Sequence, residues 1–290
     1  MIEVPTVFVL GAGASAPYKF PTGRSLLLRI GTDLSSPRSD LYGQLNRMGF
    51  SPNHVGQFAN DLLASMQPSV DLFLENRDEY REIGKAAIAA SWIPIENEAF
   101  LRCEQQTLWY EYLYGMMRSD VSSFNRNRLQ IVTLNYDRSL EHFLFLAIRH
   151  SFGLEESKAA AMLSAIPVIH VYGKLGELPY LSSEHQRPYS NILDSDLVRL
   201  AAECINIMNE GQADSQEFQQ ARHMIIDAER VYFLGFGYHH TNISRLIHLI
   251  PEWTKKGTRG RHTTSQVLRW HGFMDCSKEG LNSGTRVKIA

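Results

Sequence analysis

The chain has 290 residues, 44% of them hydrophobic and 21% charged, with a formal net charge of -2. That is length for one large α/β domain, or for one domain with an insert, and the composition is that of a soluble globular protein. It excludes a global basic field for nucleic acid, and no apolar run reaches the roughly 18 residues of a membrane span.

The N-terminus lacks the basic-then-apolar pattern of a secretory signal, so a cytoplasmic protein is expected. Cys103, Cys204 and Cys276 are odd in number and far apart. They argue against a disulfide framework and a four-cysteine zinc site, and no metal is expected.

Thr6 to Ser15, TVFVLGAGAS, opens the chain's structural signal. Val7 to Leu10 form a continuous apolar run ended by glycine, the pattern of a buried strand in a parallel sheet. Gly11, Gly13 and Ala16 fit the dinucleotide pattern G-x-G-x-x-(G/A), and a tight turn after a core strand is the plainer alternative. Pro17 and Pro21 interrupt the usual strand-turn-helix, and Thr22 is a good N-cap for a helix through Leu26 to Ile30. Asp33 has the spacing of a ribose-binding carboxylate, but its polar surroundings do not read as a strand end.

From Leu41 to Asn127 the periodicity is helical, with segments 57–66, 70–76 (capped by Ser69), 81–92 and 106–117. We read 41–126 as an all-α insert in a Rossmann-like domain made of 1–40 and 127–290. Trp109, Tyr110, Tyr112 and Tyr114 fit core or interface packing better than a base-binding surface. The sheet resumes at Leu129–Leu134, and a helix is expected over 138–149. A strand from Ile166 toward Gly173 follows, then a mobile loop over 176–191 and helices over 193–208 and 216–227. A last clear strand, Arg230–Leu234, runs into Gly235-Phe236-Gly237-Tyr238-His239-His240 and a helix from about Asn242. Beyond Pro251 a basic polar stretch is expected to be exposed, and only 267–270 and 287–290 look strand-like.

The expected fold is α/β: a Rossmann-like parallel sheet with helices on both faces and the all-α insert. Four strands end in polar or glycine-rich turns, GAGAS, TLNYD, HVYGKLG and GFGYHHTN. In an open parallel sheet such ends share one crevice, where ligands bind. Alternatively, Asn135 and Asp137 cap a helix and His170 is satisfied within the core.

Gly11-Ala12-Gly13-Ala14-Ser15 resembles the sirtuin GAG-x-S phosphate loop, and Thr133-Leu134-Asn135-Tyr136-Asp137 resembles the sirtuin T-Q-N-x-D motif. Gly235-Phe236-Gly237, followed by Asn242, falls where sirtuins have their G-T-S turn. Taken together, 6–249 is most similar to the bacterial sirtuin-like proteins of antiphage defence. The resemblance implies an NAD+ hydrolase that releases nicotinamide and ADP-ribose, with NAD as substrate and no metal. It implies Gly11, Ala12, Gly13 and Ser15 on the phosphates, and Gly235 and Gly237 against the adenosine ribose. Asn135 would orient ribose hydroxyls or water, His170 would act as general base, and Asp137 would steady the site or cap the following helix. Arg24 can pair with phosphate, although a solvated surface arginine is the simpler reading.

Two departures stand out. The cysteine pairs of the sirtuin zinc ribbon are missing, which argues against a protein deacylase. The sirtuin histidine directly precedes a glycine, whereas here Tyr172 precedes Gly173 and His170 lies two residues earlier, expected on the same strand face. The resemblance also implies a homo-oligomer and a separately encoded activator, such as a hexameric ATPase or a short Argonaute with its guide. No membrane and no direct nucleic-acid contact are expected. A nucleotide-sensing module without chemistry, or a deacylase without zinc, is the alternative function.

Overall fold

A computed structural model of the chain describes residues 1–102, 108–207, 215–237, 242 and 245–246, and the backbone of 266–269. Cys103, Cys276, the Tyr238-His239-His240 turn, most of the helix expected from Asn242, the basic stretch after Pro251 and the strand expected at 287–290 lie outside the described residues.

Five strands, β1 (Thr6–Leu10), β2 (Leu129–Thr133), β3 (Val168–His170), β4 (Arg230–Leu234) and β5 (Gln266–Arg269), form one sheet in the order β3-β2-β1-β4-β5. Every pairing is parallel, and Leu10 stands opposite both Thr133 and Leu234 while Thr133 stands opposite His170. The strand ends are thus level, and the turns that follow them leave one rim. β1 is buried on both faces, as its unbroken apolar run requires. The expected strand from Ile166 begins only at Val168, since Pro167 has no amide to donate to the ladder, and it ends at His170.

Between β1 and β2 the described chain is helical: α1 (Ala12–Ser15, one turn), α2 (Gly23–Leu34), α3 (Asp40–Arg47), α4 (Pro52–Ala64), α5 (Val70–Leu74), α6 (Arg81–Trp92) and α7 (Trp109–Met116). Ser39, Ser51 and Ser69 each accept a backbone amide two or three residues into α3, α4 and α5, satisfying one of each helix's free first-turn donors. Then come α8 (Ser139–Phe152), α9 (Glu156–Ser164), α10 (Ser195–Glu203) and α11 (Gln216–Asp227). Helix α9 was not expected: its face is made of Ala159, Ala160, Met162 and Leu163, too small and alanine-rich for a clear period.

One face of the sheet, with Phe8 and Leu10, shares a continuous core with α2 to α10. The other, with Val7, Val9 and Val231, packs on Phe218, Ala221 and Ile225 of α11. The helices of 41–126 therefore bury their apolar sides in the same core as the sheet. The chain steps outward from β1 to β3 with its helices on the first face, then returns to place β4 on β1's free edge, with α10 on the first face and α11 on the second.

The loop expected to be mobile is anchored. Arg187 and Arg138 are both fully buried on the carboxylate of Glu96, with Arg138 Nη2 2.7 Å from Glu96 Oε2 and Arg187 Nη2 on the same oxygen. Their remaining donors reach the carbonyl oxygens of Leu175, Gly176, Glu177, Arg187 and Pro188. A long polar segment with a fully paired arginine inside it is pinned at that point, whatever its composition.

Candidate functional site

The direction of strand addition reverses between β1 and β4, and folds of this kind bind ligands in the crevice outside those strand ends. Gly11 and Gly235 leave the sheet side by side there. The Gly11 amide donates to the Leu234 carbonyl at 2.9 Å and the Gly13 amide to the Gly235 carbonyl at 3.0 Å. Gly235 has φ +58, and a Cβ on it would stand 1.9 Å from the Ala14 nitrogen. A Cβ on Gly11 would stand 2.6 Å from the Gly235 oxygen. Only glycine fits at either position, so the two turns are locked backbone to backbone. Gly237 is exposed, and among the described residues nothing would meet a Cβ there. Ala12 is half-buried and begins α1.

The turn after β2 carries Asn135 and Asp137 to the GAGAS turn. Asn135 Nδ2 donates to the Gly11 carbonyl and to Ser15 Oγ, both at 3.0 Å. Ser15 Oγ donates to Asp137 Oδ2 at 2.6 Å. The other Asp137 oxygen accepts the Ser139 amide at 3.2 Å and the Ser139 hydroxyl, and Tyr110 donates to that hydroxyl at 2.7 Å. Asp137 thus supports the start of α8 and binds the loop serine at once. Burial pushes its carboxyl above the ordinary carboxylate range, and the hydrogen bonds from Ser139 and Ser15 offset only part of that.

His170 closes the network. Its Nδ1 lies 2.8 Å from the carbonyl oxygen of Asn135, and its Nε2 lies 2.6 Å from Oε1 of Glu141, with the histidine 6% exposed and the glutamate 5%. Burial works to raise the Glu141 carboxyl, but the His170 ring outweighs it and holds the group below the usual range. Sequence reasoning missed Glu141. The available signal was its position on the stripe of α8 shared with the buried Leu144 and Phe145, because a carboxylate among core residues requires a partner inside.

His170 and Tyr172 were expected on one face, but they diverge. The strand ends at His170, and beyond it the two-residue alternation no longer applies. The Tyr172 hydroxyl donates to Asn242 Oδ1 at 2.8 Å and accepts from Arg245 Nη1 at 3.1 Å. Arg245 in turn forks onto Glu75, the C-cap of α5, at 2.9 and 3.2 Å. Burial pushes the Tyr172 hydroxyl up to about 12.

The α7 aromatics support the GAGAS turn from behind. Trp109 Nε1 donates to the Ala14 carbonyl at 2.7 Å, and the Tyr110 ring stacks on Tyr18 at 3.7 Å. Tyr112 is 51% exposed. Arg24 is exposed, and Asp33 lies within α2, paired with Arg29 at 3.8 Å, and not at the end of a strand.

Comparison with protein-family models and with curated proteins finds no match to this chain. Among the described residues, no group of three or more His, Cys, Asp or Glu side chains is arranged to hold a metal ion, and no helix is long and apolar enough to cross a membrane.

Proposed function

We propose that the protein is an NAD+ hydrolase acting at this rim, cleaving the bond between nicotinamide and ribose to release nicotinamide and ADP-ribose. One observation carries the proposal: Gly11, Ser15, Asn135, Asp137 and His170, spread over more than 150 positions of sequence, meet in one hydrogen-bonded network at the switch point of the sheet.

In this reaction the C1′–N1 bond breaks with its electron pair going to the ring nitrogen, so nicotinamide leaves neutral. Positive charge develops on the ribose as in glycoside cleavage, water adds to C1′, and a proton is lost from the water. Gly11, Ala12, Gly13 and Ser15 would lie against the pyrophosphate, with Gly235 and Gly237 against the adenosine ribose. The Asn135 amide, an uncharged donor and acceptor, orients ribose hydroxyls or water. Asp137 places negative charge beside the developing cation, and His170 handles the proton. Asn135 and Ser15 spend hydrogen bonds on each other. A nucleotide must replace those bonds, which is consistent with an activity released by assembly or by a separately encoded activator.

The test is chromatography of NAD+, nicotinamide and ADP-ribose with the purified chain, alone and with candidate activators. Nicotinamide release is expected, abolished in Asn135→Ala and strongly reduced in His170→Ala. A chain that binds NAD+ but releases no nicotinamide in any assembly would be a nucleotide sensor instead. Formation of acyl-ADP-ribose from an acylated peptide would make it a deacylase.

A further inference from the structure

The two ring nitrogens of His170 face two acceptors. The Asn135 carbonyl has no hydrogen to give, and Glu141 is held ionised, so neither can donate to the ring. A neutral imidazole carries one N–H and would turn a lone pair toward the other oxygen at hydrogen-bonding distance. With Glu141 ionised, only the doubly protonated ring satisfies both contacts.

We infer that His170 rests as an imidazolium locked between Asn135 and Glu141, and that Glu141 is a positioning residue acting through it. The ring links α8 to the backbone of the site asparagine, so Glu141 sets both the charge of His170 and the placement of Asn135. This rests on the NAD+ hydrolase proposal for its catalytic consequence, but not for its structural content.

The ion pair has a neutral counterpart. Passing the Nε2 proton to Glu141 Oε1 leaves a neutral ring with its hydrogen on Nδ1 and a neutral carboxylic acid. The pair's total charge is zero in both forms, so the transfer places no net charge in the dry interior. In either form both ring nitrogens stay engaged, Nδ1 with Asn135 and Nε2 with Glu141, so His170 takes up a proton from the site only when one of those contacts opens. The other groups that act on the pair are Asp137 at the start of α8, Lys174 beyond β3, and Tyr180 and Tyr189 of the 176–191 loop.

The decisive measurement is nitrogen NMR of the full chain labelled in its histidine rings at pH 7.5, with the His170 signals assigned by their loss in His170→Asn. Both ring nitrogens are expected at protonated shifts in the wild type. In Glu141→Gln, which keeps the side chain's shape, Nε2 is expected to move to the unprotonated shift while Nδ1 stays protonated. An unprotonated His170 nitrogen in the wild type overturns the inference without any variant, and so does a Glu141→Gln spectrum identical to wild type. In the kinetic arm, Glu141→Gln is expected to lower nicotinamide release about tenfold or more and to move the acid limb of its pH profile, with KM nearly unchanged. An imidazolium signature in a chain that never cleaves NAD+ leaves this inference standing and overturns the hydrolase proposal. Cleavage by a chain whose His170 is neutral does the reverse.

Discussion

Asp137 and Glu141 are buried carboxylates four residues apart with opposite shifts, and the difference lies in what faces them. Asp137 meets hydroxyls and an amide, whereas Glu141 meets a ring that can carry a full charge. The signs of their pH dependence are therefore opposite. Asp137, raised in the fold, opposes folding as pH climbs from the ordinary carboxylate value, about 4, through its folded value. Glu141, lowered in the fold, contributes stability above about pH 4 that is lost as pH falls through its folded value. Asp137→Asn is thus expected to flatten the fall in stability on the alkaline side of that range, seen as urea midpoints between pH 4 and 8. Parallel curves for the two proteins would show that Asp137 carries no such penalty. Ser15→Ala removes one donor to Asp137 and one acceptor for Asn135. It is expected to cost about 1–3 kcal/mol, the range for leaving buried polar partners unsatisfied, measured by the same titration.

At the scale of elements, the GAGAS and GFG turns behave as one piece, because the backbone of each occupies the space a Cβ would need on the other. Gly235→Ala combines a left-handed backbone, costing about 1–2 kcal/mol for a residue with a Cβ, with a backbone clash that a flexible side chain cannot relieve. A fall in Tm well beyond 5 °C, or loss of soluble protein, is expected. Gly237→Ala, two residues on, is expected to change stability by no more than about 0.5 kcal/mol. Equal effects from the two substitutions would contradict the interlocked turns. Trp109 and Tyr110 extend the same piece into α7, which ties the helical segment to the strand turn it covers.

For the whole molecule, the Glu96 clamp joins three distant parts: the turn after α6, the start of α8 and the loop after β3. Two guanidinium groups share one carboxylate with no solvent exposure, so removing that charge leaves both stranded. Glu96→Gln is expected to cost about 3–5 kcal/mol, the penalty for breaking a buried pair, read from urea unfolding. Replacing Arg187 by methionine leaves Arg138 paired one to one and is expected to cost less. The reverse ranking would show that Arg187's carbonyl contacts, rather than the shared carboxylate, hold the loop.

The sequence by itself determined the strands, most of the helices, the Ser69 cap and the polar turns that end on one rim. These features depend on neighbours a few residues apart, through side-chain periodicity and turn chemistry. The spans Arg81–Trp92, Gln216–Asp227 and Arg230–Leu234 agree with the expected bounds for that reason. Only the tertiary structure decided the partners. His170 meets Glu141, 29 positions away, because β3 lies beside β2 and α8 starts at the end of β2. Arg187 meets Glu96, 91 positions away, because the loop folds back under α8. A buried charge states in sequence that a partner must exist, but the order of the strands chooses which one.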